Sequence, residues 1–345
     1  MSTDERRKPH KTATMRDVAR LAGVSQPTVS RVLNQSKTNI SISEETRSKV
    51  LAAVEKLNYR PNVLAQGLRT QKTRMIAVLI ADISNSFYHG IVRAVQDVAH
   101  DHSYDVMIAN SDHEYENEKH FCDAVTRRPV DGVIMVPQHL TSDDLDELIT
   151  RTNTPVVVLG QHMNHPLVDV IYARDEHAVY EATHWLIHDL GHQRLGIVRV
   201  PDDLPPSPRR LRGFIRAVED AGLHVQPEHI VTGDFTLESG RQAAEQLLQG
   251  GQLPTALVVM NDLMAIGVIL ALQNAGVRIP EDIAIIGYDD IPEASVVRPT
   301  LTTIAHDKAD IGRKLASCLF ERISQPDLPG RHIESRTRLI KRDST

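Results

Sequence analysis

Residues 15–34, MRDVARLAGVSQPTVSRVLN, constrain this chain more than any other stretch, because they carry the punctuation for two short helices and a fixed turn between them. Val18, Ala19, Leu21 and Ala22 are apolar at helical spacing, Gly23 supplies the turn, and Val24 plugs the joint beneath it. Ser25 is placed to cap a second helix. Pro27 falls in that helix's first turn, where a missing N–H costs nothing, and Val29, Val32 and Leu33 form an i, i+3, i+4 core stripe. Gln26, Pro27, Ser30 and Arg31 are left facing outward. A recognition helix enters the major groove with its N-terminal residues at the base edges, and Gln and Arg pair bidentately with adenine or guanine. The expectation is a helix-turn-helix DNA reader.

Charge divides the chain at the same place. Residues 1–74 hold 15 Lys+Arg against 6 Asp+Glu, a net of +9, whereas the remainder carries a net of −15. The total of −6 hides a basic head on an acidic body, the electrostatic footprint of phosphate contacts at one end only. Residues 1–13 read as a flexible basic arm. Nothing in the sequence has the length and apolarity of a membrane span or an export signal, so the expectation is a cytoplasmic, nucleoid-associated protein with no membrane partner. Cys122 and Cys318 lie far apart without CxxC spacing and are expected to be buried free thiols; no metal site and no cofactor is expected.

After a polar loop, Ser43 with Glu44, Glu45 and Thr46 opens a third helix whose Val50, Val54 and Leu57 close a small core. Pro61 then starts a short segment, 61–74, with Val63, Leu64, Ala65 and Leu68 on one side, too short to be stable alone. Leu68, flanked by Arg69 and Lys72, has the character of a minor-groove wedge; a passive linker is the alternative. From residue 75 apolar runs alternate with helical stretches: 75–82, 104–110, 130–137, 155–160, 194–200, 256–262 and 283–290. Near-continuous apolar strands separated by helices mean parallel sheets covered on both faces. With a break near 172–175, the expected architecture is an all-α head plus an α/β body of two doubly wound parallel-sheet lobes, with a ligand cleft beyond the strand C-terminal ends.

Head, hinge and two-lobed body together resemble the lactose/galactose repressor family of bacterial transcription regulators, whose bodies are similar to periplasmic sugar-binding proteins. The likeness runs over about residues 14–340 and rests on the TMRDVARLAGVSQPTVSRVLN head, NYRPNVLAQGLR, ISNSFY, LGHQRLGIV, RLRGF, MNDLMAIGV and VRIPEDIAIIGYDDIP followed by PTLTTI. The resemblance implies a homodimer on a pseudo-palindromic operator of double-stranded DNA, with Gln26, Pro27 and Arg31 at the base-reading positions. Thr14, Ser25, Thr28, Ser30 and Asn34 complete the expected contacts from the head, and Asn62, Ala65, Leu68 and Arg69 those from the hinge. It divides the chain into a head, 14–60, a hinge, 61–74, a first lobe, 75–172 with 301–328, and a second lobe, 173–300 with 329–345. Two departures stand out: the loop from Asn34 to Ser43 is longer than usual in the family, and the fourth body strand ends in GQHM, where many members place an acidic residue followed by Arg.

By position, the resemblance suggests Phe87, Asp175, Arg210, Phe235, Asn261 and Asp289 as effector contacts. Each has a duller reading. Phe87 is either a ring face for a ligand or core packing. Arg210 is either a clamp or, beside Arg209 and Arg212, part of a solvated basic face. Asp289 and Asn261 either contact ligand hydroxyls or cap the following helices. His139, His162, His165 and His177 match no metal motif and read as surface histidines.

Catalytic motifs are missing: the sequence has no GxSxG elbow or P-loop, and no GxGxxG follows the first strand of either lobe. The expectation is therefore a non-enzymatic, effector-gated repressor, the effector a sugar or sugar derivative, with a nucleobase also compatible with Phe87, Arg210 and Asp289. The alternatives are a sugar-capturing binding protein without regulatory role and an enzyme with a DNA-binding appendage.

Overall fold

The computed structural model describes residues 13–34, 42–59 and 72–345, and the chain forms two compact units, residues 1–73 and 74–345. In the first unit, α1 (Met15–Ala22) starts at Thr14, whose hydroxyl accepts from the Asp17 amide while the Asp17 carboxylate accepts from the Thr14 amide. It ends at Gly23, whose φ of 67° gives the left-handed turn that a side chain would resist. Helix α2 (Gln26–Asn34) is capped by Ser25, whose hydroxyl accepts from the Thr28 amide. Helix α3 (Glu44–Lys56) is capped by Ser43 in the same way. Val18, Ala19, Val29, Val32, Val50, Ala53 and Tyr59 form the core of this small unit. Leu21 lies outside it, 44% exposed. The expected arm, most of the hinge and the loop after Asn34 lie outside the described residues, and Asn62, Ala65, Leu68 and Arg69 lie there too.

The second unit contains two sheets. In the first, strands β1 (Met75–Ile80), β2 (Asp105–Asn110), β3 (Gly132–Met135), β4 (Val156–Leu159), β5 (Asp169–Ala173) and β11 (His332–Ser335) are ordered β11-β5-β4-β3-β1-β2, all parallel. Strand β1 shows why its sequence is continuously apolar. Ile76, Val78 and Ile80 enter the layer formed with α4 (Phe87–Asp101) and α11 (Lys308–Ser324), while Ala77 and Leu79 enter the layer with α5 (Tyr115–Arg127) and α6 (Ser142–Thr152).

The second sheet is ordered β12-β10-β9-β8-β6-β7. Its strands are β6 (Leu195–Arg199), β7 (Ile230–Thr232), β8 (Ala256–Val259), β9 (Ala284–Asp289), β10 (Thr302–His306) and the antiparallel edge β12 (Thr337–Ile340). Helices α7 (Asp175–His188), α8 (Pro206–Asp220), α9 (Leu237–Gln249) and α10 (Asp262–Asn274) pack with it. Gly240 and Gly267 let α9 and α10 cross backbone to backbone: a Cβ on Gly267 would sit 2.0 Å from the Leu237 carbonyl oxygen, and one on Gly240 2.1 Å from that of Met264.

The chain passes between the sheets three times, at Arg174, Asp307 and Arg336. This corrects the expected lobe boundaries. Thr302–His306, expected in the first lobe with 301–328, pairs with β9 in the second sheet, and His332–Ser335, expected in the second lobe with 329–345, pairs with β5 in the first. The terminal stretch HIESRTRLIKR forms two strands, one in each sheet, divided by one residue. Which sheet a strand joins is decided by pairing with residues far away in sequence, which a local apolar pattern does not encode.

Candidate functional site

The head presents one face for inspection. The Ser25 cap and the Pro27 position direct α2 so that Gln26 and Pro27 are exposed and Thr28 and Arg31 half-buried, with Thr14 and Ser25 exposed beside them. Ser30 corrects the outward reading: it is 5% exposed, because residue 30 follows Val29 round the helix toward the small core rather than joining the outer face. Gln26, exposed at the first turn, and Arg31, half-buried in the last, are therefore the long polar side chains of this helix with access to solvent.

In the second unit the strand C-terminal ends of both sheets line a cleft of about 850 Å3, counting the part open to solvent. Phe87, Asp175, Arg210, Phe235 and Asp289 all line it. Asn261 does not. Its side-chain oxygen accepts from the Met264 amide at 3.0 Å and its amide donates to the Phe235 carbonyl at 2.8 Å, so it caps α10 and steadies the loop that carries Phe235. The capping alternative is the one found here.

Asp175 and Arg210 are locked together. The Asp175 carboxylate accepts from the Tyr288 hydroxyl at 2.6 Å and from Arg209 at 3.1 Å, and lies 3.7 Å from Arg210. Arg210 donates to the Met260 carbonyl and lies over the Tyr288 ring, 3.6 Å from its centroid. Burial alone would raise the Asp175 carboxyl, but Arg210, Arg209 and the Tyr288 hydroxyl outweigh it and hold the group below the usual aspartate value. Asp289 is the opposite case. At 6% exposure, with no side-chain hydrogen bond among the described residues, it is pushed by burial to about 7 against the pull of Arg210 and Lys308. Its backbone is turned to φ 109°, and the Lys308 ammonium donates to its carbonyl at 2.6 Å.

The cleft also contains residues that sequence reasoning left on the surface or passed over. His113, His162 and His306 line it, as does Arg209. Burial lowers the imidazole of His113 and takes that of His306 down to about 4, so both are neutral rings at physiological pH. His162 keeps solvent access, yet desolvation by the cleft wall and the Arg209 charge lower it as well. In the GQHM segment a Cβ on Gly160 would sit 3.0 Å from the His162 ring, so a side chain there would move this imidazole a few tenths of an ångström from the strand end. Buried polar atoms without a partner among the described residues include Gln138 Oε1, His113 Nδ1, His306 Nδ1, Arg209 Nε and Arg210 Nε. Unmet donors and acceptors of this kind, set among Phe87, Tyr88, Tyr172 and Phe235, make a wall suited to a ligand with both hydrogen-bonding groups and an apolar face. A single signal could have found the histidines: each follows the C-terminal end of a strand or opens a crossover.

Among the described residues no group of three His, Cys, Asp or Glu side chains could hold a metal ion, and no helix is long and apolar enough to cross a membrane. His165 is buried within the first lobe, which corrects its reading as a surface histidine, whereas His139 is half-buried and His177 exposed. Cys122 and Cys318 are buried and free, and burial pushes the Cys122 thiol up to about 12.

Comparison with known proteins adds the following. Residues 14–62 match the family described as bacterial regulatory proteins, lacI family, and residues 186–345 match a periplasmic binding protein-like domain. The HTH-type transcriptional repressor PurR of Photobacterium profundum is 34% identical over 332 residues, 96% of this chain and 98% of that protein. Catabolite control protein A of Priestia megaterium is 35% identical over 333 residues, 96% and 99% of the two chains. Among solved structures, the lac repressor dimer bound to operator and the anti-inducer ONPF is similar with a TM-score of 0.83 at 31% identity, covering 97% of this chain and 99% of that one. A transcriptional regulator CelR–cellobiose complex is similar with a TM-score of 0.71 at 28% identity, over 96% and 100% of the chains.

Proposed function

The chain belongs to the lacI family of bacterial regulatory proteins, a transcriptional repressor with a DNA-binding helix-turn-helix head and an effector-binding body, and from that premise we propose how it acts. As a homodimer it binds a pseudo-palindromic operator through Gln26, Pro27 and Arg31, and a small molecule in the interlobe cleft sets the affinity of that binding. One three-helix head covers too few bases, whereas two heads related by a dyad match two half-sites. The lac repressor relative, solved as a dimer on operator with an anti-inducer, supports the same arrangement.

One observation carries the effector half of this reading: the cleft wall of a chain built around a DNA-reading head keeps buried hydrogen-bonding atoms unpaired. The effector is a sugar or sugar derivative, a class consistent with the cellobiose complex of the CelR relative and with hydroxyl-sized donors and acceptors beside Phe87 and Phe235. Asp289 and Arg210 orient it, and closure of the lobes on it shifts the populations that bind or release DNA.

The test has two arms. Selection of binding sites from random duplexes with the full chain should return a two-fold symmetric sequence; the absence of any symmetric consensus would refute the operator reading. A thermal-shift screen against sugars, sugar acids, polyols, nucleosides and phosphosugars should give a hit that Asp289→Ala abolishes, since a ligand at about 100 times its Kd adds ~2.7 kcal/mol. A nucleoside hit with sugars silent would replace the sugar assignment by the nucleobase one.

A further inference from the structure

The cleft has a far side, and one pair of rings closes it. The three crossovers lie by β5 and β11 of the first sheet and β10 and β12 of the second, at one edge of each. Strands β2 and β7 are the opposite edges. His113 follows β2 and Phe235 follows β7, both at positive φ, 58° and 72°. Their rings stack across the cleft with centroids 5.4 Å apart and planes at 22°. Four strand spacings separate β5 from β2, about 19 Å, so a lobe opening of about 15° would part the rings by roughly 5 Å. That is the size of the centroid separation itself, and the stack therefore exists only with the lobes closed. Other side-chain bridges between the lobes lie closer to the crossovers: Ser86, after β1, to Glu293, after β9, at 2.6 Å, the Phe87 ring against that of His306, and the Lys308 ammonium on the Asp289 and Asp290 carbonyls.

We propose that His113 is a positioning residue of the effector site: it clasps Phe235 across the open side of the cleft, shuts the lobes in the free protein and occupies one face of the Phe235 ring. The proposal rests on the cleft being the effector site, and it adds a selection rule to it. A ligand ring that stacks on Phe235 has the remaining face, or must displace the imidazole and break the clasp. His113 thus links what fills the cleft to how far the lobes stand apart. Its Nδ1, buried and unpartnered among the described residues, gives the displaced or retained ring a hydrogen bond to offer the ligand.

The test needs neither effector nor DNA, so its failure is separable from failure of the regulatory reading. Glu116 in α5 and Glu238 in α9 are exposed, just beyond the two ring-bearing loops, whereas Cys122 and Cys318 are buried. Spin labels on E116C/E238C in the full chain, diluted with unlabelled chain to isolate distances within one subunit, report the gap by double electron–electron resonance. Wild type should give a short, narrow distribution, H113A one lengthened by about 5 Å, and H113F, which keeps the stack, the wild-type distance. An H113A distribution equal to wild type overturns the proposal, as does H113F behaving like H113A. Lengthening by S86A with none by H113A would also overturn it and assign closure to the Ser86–Glu293 bond.

Discussion

Replacing Asp289 by asparagine should stabilise the body at neutral pH and leave it unchanged in acid. In the folded protein the Asp289 carboxyl stays protonated up to about 7, because burial without a hydrogen-bond donor opposes its charge; an ordinary aspartate loses its proton at 3.8. Below 3.8 both folded and unfolded chains hold the proton, and a neutral carboxylic acid and a carboxamide at this position are near-isosteres, equal in stability. Between 3.8 and 7 the unfolded chain releases the proton and the folded chain retains it, so stability falls as pH rises. Just over three pH units at 1.36 kcal/mol each give a penalty of about 4 kcal/mol by pH 7.5, which the amide does not bear. Asp262, itself raised by burial and then by the Asp289 charge, adds to the difference in the same sense. The assay is urea denaturation of residues 74–345, wild type against D289N, from pH 4 to 7.5, with equal m-values. A D289N advantage that grows with pH is the expected result. A difference that stays flat, or a variant less stable at pH 7.5, refutes the reasoning.

Arg31→Ala should weaken the selected operator by about 1–3 kcal/mol and random duplex far less, read by fluorescence anisotropy at fixed salt; equal losses on both would make Arg31 a phosphate contact. Asp169→Asn leaves Arg322, 1% exposed, without the carboxylate that it and Arg331 share at 2.7 and 2.8 Å, and should cost about 3–5 kcal/mol at neutral pH by denaturant unfolding. Because the two arginines hold Asp169 below its usual value despite burial, the wild-type contribution should fade as pH drops through the carboxylate range, and the gap to D169N should close there. Gly267→Ala drives a Cβ against the Leu237 carbonyl and should lower body stability by about 2 kcal/mol net of the ~1 kcal/mol helix-propensity gain.

Local chemistry was legible wherever a residue's role is decided by its neighbours in sequence. Gly23, Ser25, Pro27 and Ser43 announce turns and caps because a left-handed φ, an accepting hydroxyl or a missing N–H acts within one helical turn. The apolar strands were readable for the same reason, since burial on both faces leaves no polar alternation. What the pattern could not carry was partner choice. β10 and β11 went to the sheets opposite to those expected because pairing with β9 and β5 spans stretches that no short window contains. β5, β7 and β10 were missed outright: β7 is only three residues long, and β5 and β10 open on polar residues, Asp169 and Thr302 with Thr303, which break the apolar run. The cleft was half legible: five of the six expected residues line it, and Asn261 turned inward because its amide satisfies a helix start and the Phe235 carbonyl together. The histidines were invisible because a sequence gives no measure of desolvation, which is what makes them neutral.

The one-residue step at Arg336, with a strand of each sheet on either side, has a consequence for the order in which the molecule comes into being. Both sheets take an edge strand from residues 332–340, so neither lobe is whole until that segment has left the ribosome, while the three-helix head has every one of its core residues available by Tyr59. Synthesis runs from the N-terminus and units fold as they emerge. The three-helix head is thus complete long before either lobe, and a chain stalled before residue 332 would carry a finished head on a body that exposes two unfinished sheet edges to quality control.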